Sequence, residues 1–224
     1  MNVNLQVALD VRTIDQAIWL ARQVEAHVDW IEAGTPLIVG EGTKAIAKLK
    51  ESFPEKVVVA DLKIMDGGAL LSEMGFSAGA DVVTVLGHAT EATVCRAVEQ
   101  ARRYGKKVLV DMLNVRDVAQ RIRQVEALGV DYIGIHTGWD NPGLDEHVLH
   151  EFAVAAQVAT LPRVVAGGIN LNTIEAVLHT RPATVVVGTA ITQAQDPAEA
   201  ARLLKDRMKA VGLSQSYQAG STRT

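Results

Sequence analysis

Short apolar runs alternate along the chain with segments of helical periodicity. The runs are rich in valine and isoleucine, as buried parallel strands are. The eight predicted strands are Leu5–Asp10, Asp29–Ala33, Val57–Leu62, Asp81–Leu86, Lys107–Met112, Asp131–His136, Arg163–Ala166 and Thr184–Val187. Between them, apolar residues recur every three or four positions, which is typical of a helix with one buried face. The pattern predicts eight strands, each followed by a helix.

Signals for the ends of helices support this division. Thr13 with Gln16 has the spacing of a capping box, and Asp196–Glu199 reads as a cap, a first-turn proline and an acid. The similar turns Ala78–Asp81 and Leu128–Asp131 each end a helix with glycine and open a strand with aspartate. The periodic segments are therefore predicted as helices with defined ends.

Eight strand–helix units in about 210 residues are typical of a (β/α)8 TIM barrel, an α/β fold. We predict one barrel domain over residues 1–212 and a polar, disordered tail over residues 213–224. The alternative is a doubly wound open sheet, which also alternates strand and helix. A dinucleotide-binding sheet of that kind needs a glycine-rich turn after its first strand, and Asp10–Thr13 has no glycine.

Composition narrows the class of protein. The 224 residues carry a net charge of −4 and contain no basic block, so a nucleic-acid partner is not expected. Cys95 is the single cysteine, which excludes an intrachain disulfide. The first ten residues lack the regions of a secretory signal, and no apolar run is long enough to span a bilayer. A soluble cytoplasmic protein is expected, without membrane contact.

Ionisable residues fall at the ends of five predicted strands, where TIM barrels gather their chemistry. They are Asp10, Glu32, Asp61 with Lys63, Asp111 and His136. The fourth strand has no such group on its inward face. Each residue alone also suits a structural role: Asp10 could cap a turn, Glu32 could pair with Lys63, and His136 could be a hydrogen-bonded core histidine. Their coincidence at one end of a barrel favours a site.

The composition of this set predicts its ligands. Four carboxylates around one lysine carry excess negative charge, and oxygen ligands favour Mg²⁺ over Zn²⁺. Glycines at the ends of strands 7 and 8, with Asn170 after them, are typical of the phosphate site of this fold, although they also suit tight turns. We expect a small phosphorylated substrate bound together with a metal ion.

The stretch Asp61–Asp66 matches the D-x-K-x-x-D motif of the orotidine monophosphate decarboxylase suprafamily. The chain resembles in particular the 3-hexulose-6-phosphate synthases and the related 3-keto-L-gulonate-6-phosphate decarboxylases. Further blocks stand in family order over residues 3 to about 210: Leu5–Asp10, Ile31–Leu37, Ala60–Gly67, Ala78–Gly87, His136–Gly138 and Val165–Ile169.

The resemblance implies roles for individual residues. Glu32 and Asp61 would bind Mg²⁺, and His136 would act as the general base. The remaining implied roles are substrate hydroxyl binding by Asp10, enediolate stabilisation by Lys63, substrate or His136 orientation by Asp111, and substrate phosphate binding around Gly167, Gly168, Gly188 and Thr189. Asp66 would reach the partner's active site, which implies a homodimer with active sites at the interface.

The implied activity is a lyase (aldolase) reaction of one-carbon and carbohydrate metabolism. Formaldehyde is added to D-ribulose 5-phosphate, through a metal-stabilised 1,2-enediolate, to give D-arabino-3-hexulose 6-phosphate. Three positions discriminate the synthase from the decarboxylase, and Asp111, Trp139 and Ala166 all favour the synthase. The decarboxylase is the alternative, and a non-catalytic sugar-phosphate-binding barrel is the second alternative.

Overall fold

The fold alternates strands and helices from β1 to β8. The structure is a computed structural model that describes residues 3–138, 140 and 146–221. The strands are β1 (Asn4–Leu9), β2 (Trp30–Ala33), β3 (Val57–Ile64), β4 (Val82–Leu86), β5 (Lys107–Asp111), β6 (Tyr132–His136), β7 (Arg163–Ala166) and β8 (Thr184–Val187). The helices are α1 (Ile14–Val24), α2 (Thr35–Glu41), α3 (Lys44–Ser52), α4 (Gly68–Ser77), α5 (Glu91–Tyr104), α6 (Val118–Ala127), α7 (Glu146–Val158), α8 (Ile174–His179), α9 (Thr189–Thr192) and α10 (Pro197–Ser221).

The eight strands form one closed parallel barrel. Each strand pairs with the next along the chain, and β1 pairs with β8 to close the sheet. The predicted (β/α)8 TIM barrel is therefore confirmed, and the open-sheet alternative is wrong because an open sheet would leave β1 and β8 as unpaired edges. In a parallel barrel all carboxyl ends lie at one rim, so the residues that follow the strands meet there.

Two apolar layers hold the barrel together. The larger lies between the strands and the surrounding helices. The smaller fills the barrel interior with inward side chains: Ala8, Trp30, Val59, Val82, Leu109, Val164 and Val186. Since side chains alternate along a strand, the inward residues one step nearer the carboxyl ends lie above this inner layer. The inner layer is thus the floor of the carboxyl-end rim.

Predicted helix caps are present. Thr13 Oγ1 accepts a hydrogen bond from Gln16 N at 3.3 Å, and Asp196 Oδ1 accepts one from Glu199 N at 3.0 Å. Helix α10 continues to Ser221, into the predicted polar tail of residues 213–224, and residues 222–224 lie outside the described part of the chain. Extending an existing helix adds one hydrogen bond per residue and needs no new nucleus. Among the described residues, no helix has the length and apolar character needed to cross a membrane.

Strand β3 departs from regular pairing near its carboxyl end. Ala60 pairs with Val83 and Ile64 pairs with Val85, so three residues of β3 face one residue of β4. Within this bulge Lys63 has φ = 45°, a conformation that side chains other than glycine rarely adopt. A backbone of this kind costs about 1–3 kcal/mol and persists where neighbouring groups hold it.

Aspartates precede three of the even-numbered strands and tie each to the strand before it. Asp29, Asp81 and Asp131 accept hydrogen bonds from the backbone N–H groups of Leu5, Val58 and Val108, at 2.7, 2.9 and 2.9 Å. Two of these aspartates belong to the predicted helix-to-strand turns, in which Gly79 and Gly129 adopt positive φ. The repeated sequence signal therefore marks repeated structure at the amino-terminal rim of the barrel.

Candidate active site

A pocket of about 850 Å³ opens at the carboxyl-end rim of the barrel. This volume is in the range of small-molecule sites. Its wall includes every predicted site residue except Asp66. These are Asp10, Glu32, Asp61, Lys63, Asp111, His136, Gly167, Gly168, Gly188 and Thr189. The structure thus brings together side chains that are up to 179 positions apart in the sequence, from Asp10 to Thr189.

Asp61 and Lys63 form the charged centre of the pocket. Lys63 Nζ donates to Asp61 Oδ2 at 2.6 Å, and the hydroxyls of Thr35 and Thr84 donate to Oδ2 and Oδ1 at 2.7 and 2.8 Å. Burial raises the pKa of Asp61, but Lys63 and the two hydroxyls outweigh it, so that the net pKa is lowered. Burial also opposes the charge of Lys63, yet Asp61 gives it a raised pKa. Both groups are therefore held ionised.

Glu32 lies beside this pair without joining it. Its Oε2 accepts a hydrogen bond from Gln6 Nε2 at 2.7 Å, whereas Lys63 is paired with Asp61, so the structural alternative of a Glu32–Lys63 pair is not what is observed. Burial and the nearby charge of Asp61 raise the pKa of Glu32 well above its usual range. Burial and Asp61 likewise raise the pKa of Asp10. The pocket thus holds more carboxylate charge than its lysine balances.

The donor set fits a hard divalent cation. Glu32 and Asp61 face the same pocket, and a cation between them would relieve their mutual repulsion, which adds to burial in raising the pKa of Glu32. In the part of the chain that is described, no three His, Cys, Asp or Glu residues are grouped to hold a metal. Two carboxylates with water or substrate completing the shell are the pattern of Mg²⁺. The buried Oε1 of Gln6 lacks a hydrogen-bond donor, as an acceptor for an ion-bound water would.

Asp111 and His136 form a second unit at the ends of the neighbouring strands β5 and β6. Oδ2 of Asp111 lies 3.1 Å from Nδ1 of His136, and Oδ1 of Asp111 accepts from Leu113 N at 3.0 Å. Asp111 is 4 % exposed, so it can turn little. Because an ionised carboxylate only accepts, we assign the proton of the neutral ring to Nδ1. This leaves the lone pair of Nε2 available to take a proton.

Glycines after β7 and β8 line the same pocket, but packing requires glycine at only one of the two positions compared below. A Cβ on Gly167 would lie 2.7 Å from both Cβ and the carbonyl oxygen of Thr137, and its φ is +100°, so packing also requires glycine there. A Cβ on Gly188 would meet nothing closer than 3.7 Å, at Asp10 Oδ2. A Cβ would therefore fit at Gly188 at ordinary contact distances, so packing does not require glycine at this position.

Asp66 lies outside the pocket of its own chain. It is exposed in the turn between β3 and α4. Exposed apolar side chains are close to it in the sequence: Met65 at 51 %, Leu70 at 63 % and Met74 at 45 %. Leu70 and Met74 are four residues apart on α4 and share one face.

Of the residues that discriminate the two activities, Ala166 and Asp111 line the pocket, and Trp139 lies outside the described residues.

Several polar residues of the pocket were not predicted. Gln6, Thr35, Thr84 and Gln193 line it, and the first three bond directly to a predicted metal ligand. The signal for Gln6 was present, because it lies four residues before Asp10 on one strand and shares its inward face. The same alternation places Thr84 inward on β4. Thr35 is the first residue of α2, where the alternation of strand β2 no longer predicts which way a side chain points.

Comparisons with known proteins identify the family of the chain. The sequence profile of the Orotidine 5'-phosphate decarboxylase / HUMPS family matches residues 3–204. A protein from Bacillus subtilis (strain 168) named 3-hexulose-6-phosphate synthase is 43 % identical over 204 residues, 91 % of this chain and 97 % of its own length. The chain therefore belongs to this family, and the predicted membership of the suprafamily is confirmed.

Two solved structures show the same fold. The crystal structure of 3-hexulose-6-phosphate synthase from Salmonella typhimurium has a TM-score of 0.89 and 38 % identity, covering 93 % of this chain and 100 % of its own. A crystal structure of KGPDC from Streptococcus mutans, solved as a complex, has a TM-score of 0.89 and 28 % identity, covering 94 % and 99 %. The backbone is equally similar to both, whereas the sequence is more similar to the synthase.

Proposed function

We propose that this protein is an aldehyde-lyase that adds formaldehyde to D-ribulose 5-phosphate and forms D-arabino-3-hexulose 6-phosphate. The observation that carries the proposal is the 43 % identity, over 91 % of the chain, to a protein named 3-hexulose-6-phosphate synthase. Asp111 and Ala166, two of the positions that favoured the synthase, line the pocket. The second candidate is the 3-keto-L-gulonate-6-phosphate decarboxylase (KGPDC) activity, because the KGPDC structure from Streptococcus mutans matches this chain with a TM-score of 0.89.

In the proposed reaction His136 is the general base. Its Nε2 takes a proton from C1 of ribulose 5-phosphate, and the electron pair of that C–H bond forms the 1,2-enediolate. The ammonium of Lys63, held charged by Asp61, stabilises the developing oxyanion. C1 then bonds to the carbon of formaldehyde while the C2 oxyanion returns to a carbonyl, and the former formaldehyde oxygen takes the proton held on Nε2 of His136. Asp10 binds substrate hydroxyls.

Mg²⁺ is the proposed cofactor, held by Glu32 and Asp61. When bound, it would supply positive charge that stabilises the negative charge of the enediolate. The proposal is supported by the excess of carboxylate in the pocket: burial first, and then the charge of Asp61, raise the pKa of Glu32. It is also supported by the unpartnered buried Oε1 of Gln6 next to that carboxylate.

The substrate phosphate is proposed to lie at the glycine turns after β7 and β8. Gly168, Gly188 and Thr189 line this part of the pocket, where backbone N–H groups can approach an anion. Gly167 belongs to the same turn.

A homodimer with shared active sites completes the proposal. Asp66 is exposed, and the exposed apolar side chains of Met65, Leu70 and Met74 follow or precede it within eight positions of the sequence, which suits a subunit contact. Asp66 cannot be assigned a role in its own pocket, because it does not line it. A cytoplasmic location in formaldehyde metabolism is also proposed, on the strength of the single free cysteine and the nature of the substrates.

The test is an assay of the purified protein with ribulose 5-phosphate, Mg²⁺ and formaldehyde. Formaldehyde should be consumed, EDTA should stop its consumption, and added Mg²⁺ should restore it. Release of CO₂ from 3-keto-L-gulonate 6-phosphate without formaldehyde consumption would assign the protein to the decarboxylases. Binding of ribulose 5-phosphate without either turnover would assign it to the non-catalytic barrels.

A further inference from the structure

Strand β4 contributes a hydroxyl to the pocket instead of a charge. Thr84 is inward-facing, 4 % exposed, and pairs in register with Leu109, a residue of the inner apolar layer. A hydroxyl at this depth needs partners, because an unpaired buried polar group is costly. Thr84 has them on the neighbouring strand, inside the bulge of β3.

The hydroxyl of Thr84 connects the two halves of the charged pair. Its Oγ1 accepts a hydrogen bond from the backbone N–H of Lys63 at 2.9 Å and donates its hydrogen to Oδ1 of Asp61 at 2.8 Å. A hydroxyl has one hydrogen and two lone pairs, so both bonds can be made at once. Thr84 is also the residue of β4 that faces the three bulged residues of β3.

We propose that Thr84 is a positioning residue that holds the β3 bulge in the conformation that directs Asp61 and Lys63 into the pocket. Lys63 stands at φ = 45°, so its backbone would relax if nothing held it. Thr84 fixes its N–H, and through Asp61 it also fixes the acceptor of the Lys63 ammonium. The consequence for turnover rests on the proposed aldol reaction; the consequence for the bulge does not.

Valine tests this inference because it has the shape of threonine without the hydroxyl. In Thr84→Val we expect the N–H of Lys63 to exchange with solvent about tenfold faster, since it loses its acceptor. We expect kcat for formaldehyde consumption to fall about 10- to 100-fold, with a smaller change in the KM for ribulose 5-phosphate. Amide exchange is measured by NMR on protein labelled with ¹⁵N-lysine, and turnover by the formaldehyde assay.

Two variants separate positioning from general damage. Thr84→Ser keeps the hydroxyl and should restore both exchange protection and turnover. Thr184→Val makes the same change on β8, where Thr184 is fully buried but lies outside the pocket, and should change neither. If Thr84→Val does not fold, Thr84→Ala removes the hydroxyl with a smaller side chain and takes its place.

The outcomes decide the proposal and the function separately. Unchanged exchange of the Lys63 N–H in the valine variant overturns the proposal, and so does an equal loss of turnover in Thr184→Val. Faster exchange with unchanged kcat would also overturn it, because the bulge would then not matter for turnover. A wild-type protein that consumes no formaldehyde would contradict the proposed function. The amide exchange of Lys63 would still decide whether Thr84 holds the bulge.

Discussion

Asp111 Oδ2 lies 3.1 Å from Nδ1 of His136, and the carboxylate is fixed in turn by the N–H of Leu113. This geometry leaves Nε2 of the ring to act as a base in the pocket. We expect His136→Ala to fold normally and to lose exchange of the C1 protons of ribulose 5-phosphate with solvent. Asp111→Asn should slow that exchange about 100-fold or more, because the amide no longer favours the required tautomer. Proton NMR in D₂O measures both.

The matched control for this prediction is His88→Ala. His88 follows β4 as His136 ends β6, yet its ring contacts the carbonyl of Asn114 and does not line the pocket. C1 proton exchange in this variant should match that of the wild type. Retained exchange in His136→Ala would show that another group is the base. Unchanged exchange in Asp111→Asn would show that Asp111 does not orient His136.

Asp66 and His136 are predicted to act in one active site while belonging to different subunits. Asp66→Asn and His136→Ala should each be inactive alone. When equal amounts are unfolded together and refolded, half of the dimers should be mixed, and each mixed dimer should contain one intact site. About a quarter of wild-type formaldehyde consumption should therefore return. If the mixture stays inactive although mixed dimers have formed, Asp66 acts within its own chain.

The surface that would form this dimer can be tested through its apolar residues. Leu70→Glu combined with Met74→Glu places two charges in the proposed contact and should give monomers in analytical ultracentrifugation, with loss of activity. Trp19→Glu is the control, because Trp19 is an apolar residue 57 % exposed on α1, away from Asp66 in the sequence. A double variant that stays dimeric would place the interface elsewhere.

Much of the fold was predictable because its signals are local. The alternation of apolar runs located every strand within two residues of its observed ends, and the glycine–aspartate turns marked the starts of β4 and β6. The position of the site followed as well, since the ends of parallel strands share a rim. The direction in which Asp10, Glu32 and Asp111 point follows from strand alternation and the closure of the barrel.

The missed features depend on contacts between distant segments. Regular alternation predicted that Asp61 and Lys63 share a face, and both do line the pocket, but through a bulge with a positive φ that the sequence does not signal. That bulge relies on Thr84, 21 residues further along the chain. The choice of Gln6 as the partner of Glu32 likewise depends on register across two strands. A role of Asp66 in a neighbouring subunit lies beyond the geometry of any single chain.

Asp81 should make the stability of the barrel depend on pH. It accepts hydrogen bonds from Lys106 at 2.6 Å and from Lys50 and the N–H of Val58, both at 2.9 Å. Burial raises its pKa, but these donors outweigh burial and lower the net pKa below the usual 3.8. A carboxyl whose pKa is lower in the folded state stabilises that state above the unfolded pKa. The contribution is lost as the pH falls through the folded pKa.

We expect Asp81→Asn to lower the free energy of unfolding by about 1–2 kcal/mol at pH 7, because the side chain is only one-fifth exposed and loses charged hydrogen bonds. The difference between wild type and variant should shrink below about pH 4, as the wild-type carboxyl becomes protonated. Glu51→Gln is the control, since its exposed pair with Lys48 should contribute less than about 0.5 kcal/mol. Urea unfolding of both variants from pH 3 to 8 measures this, and a difference that stays constant across that range would show that the charge of Asp81 does not stabilise the barrel.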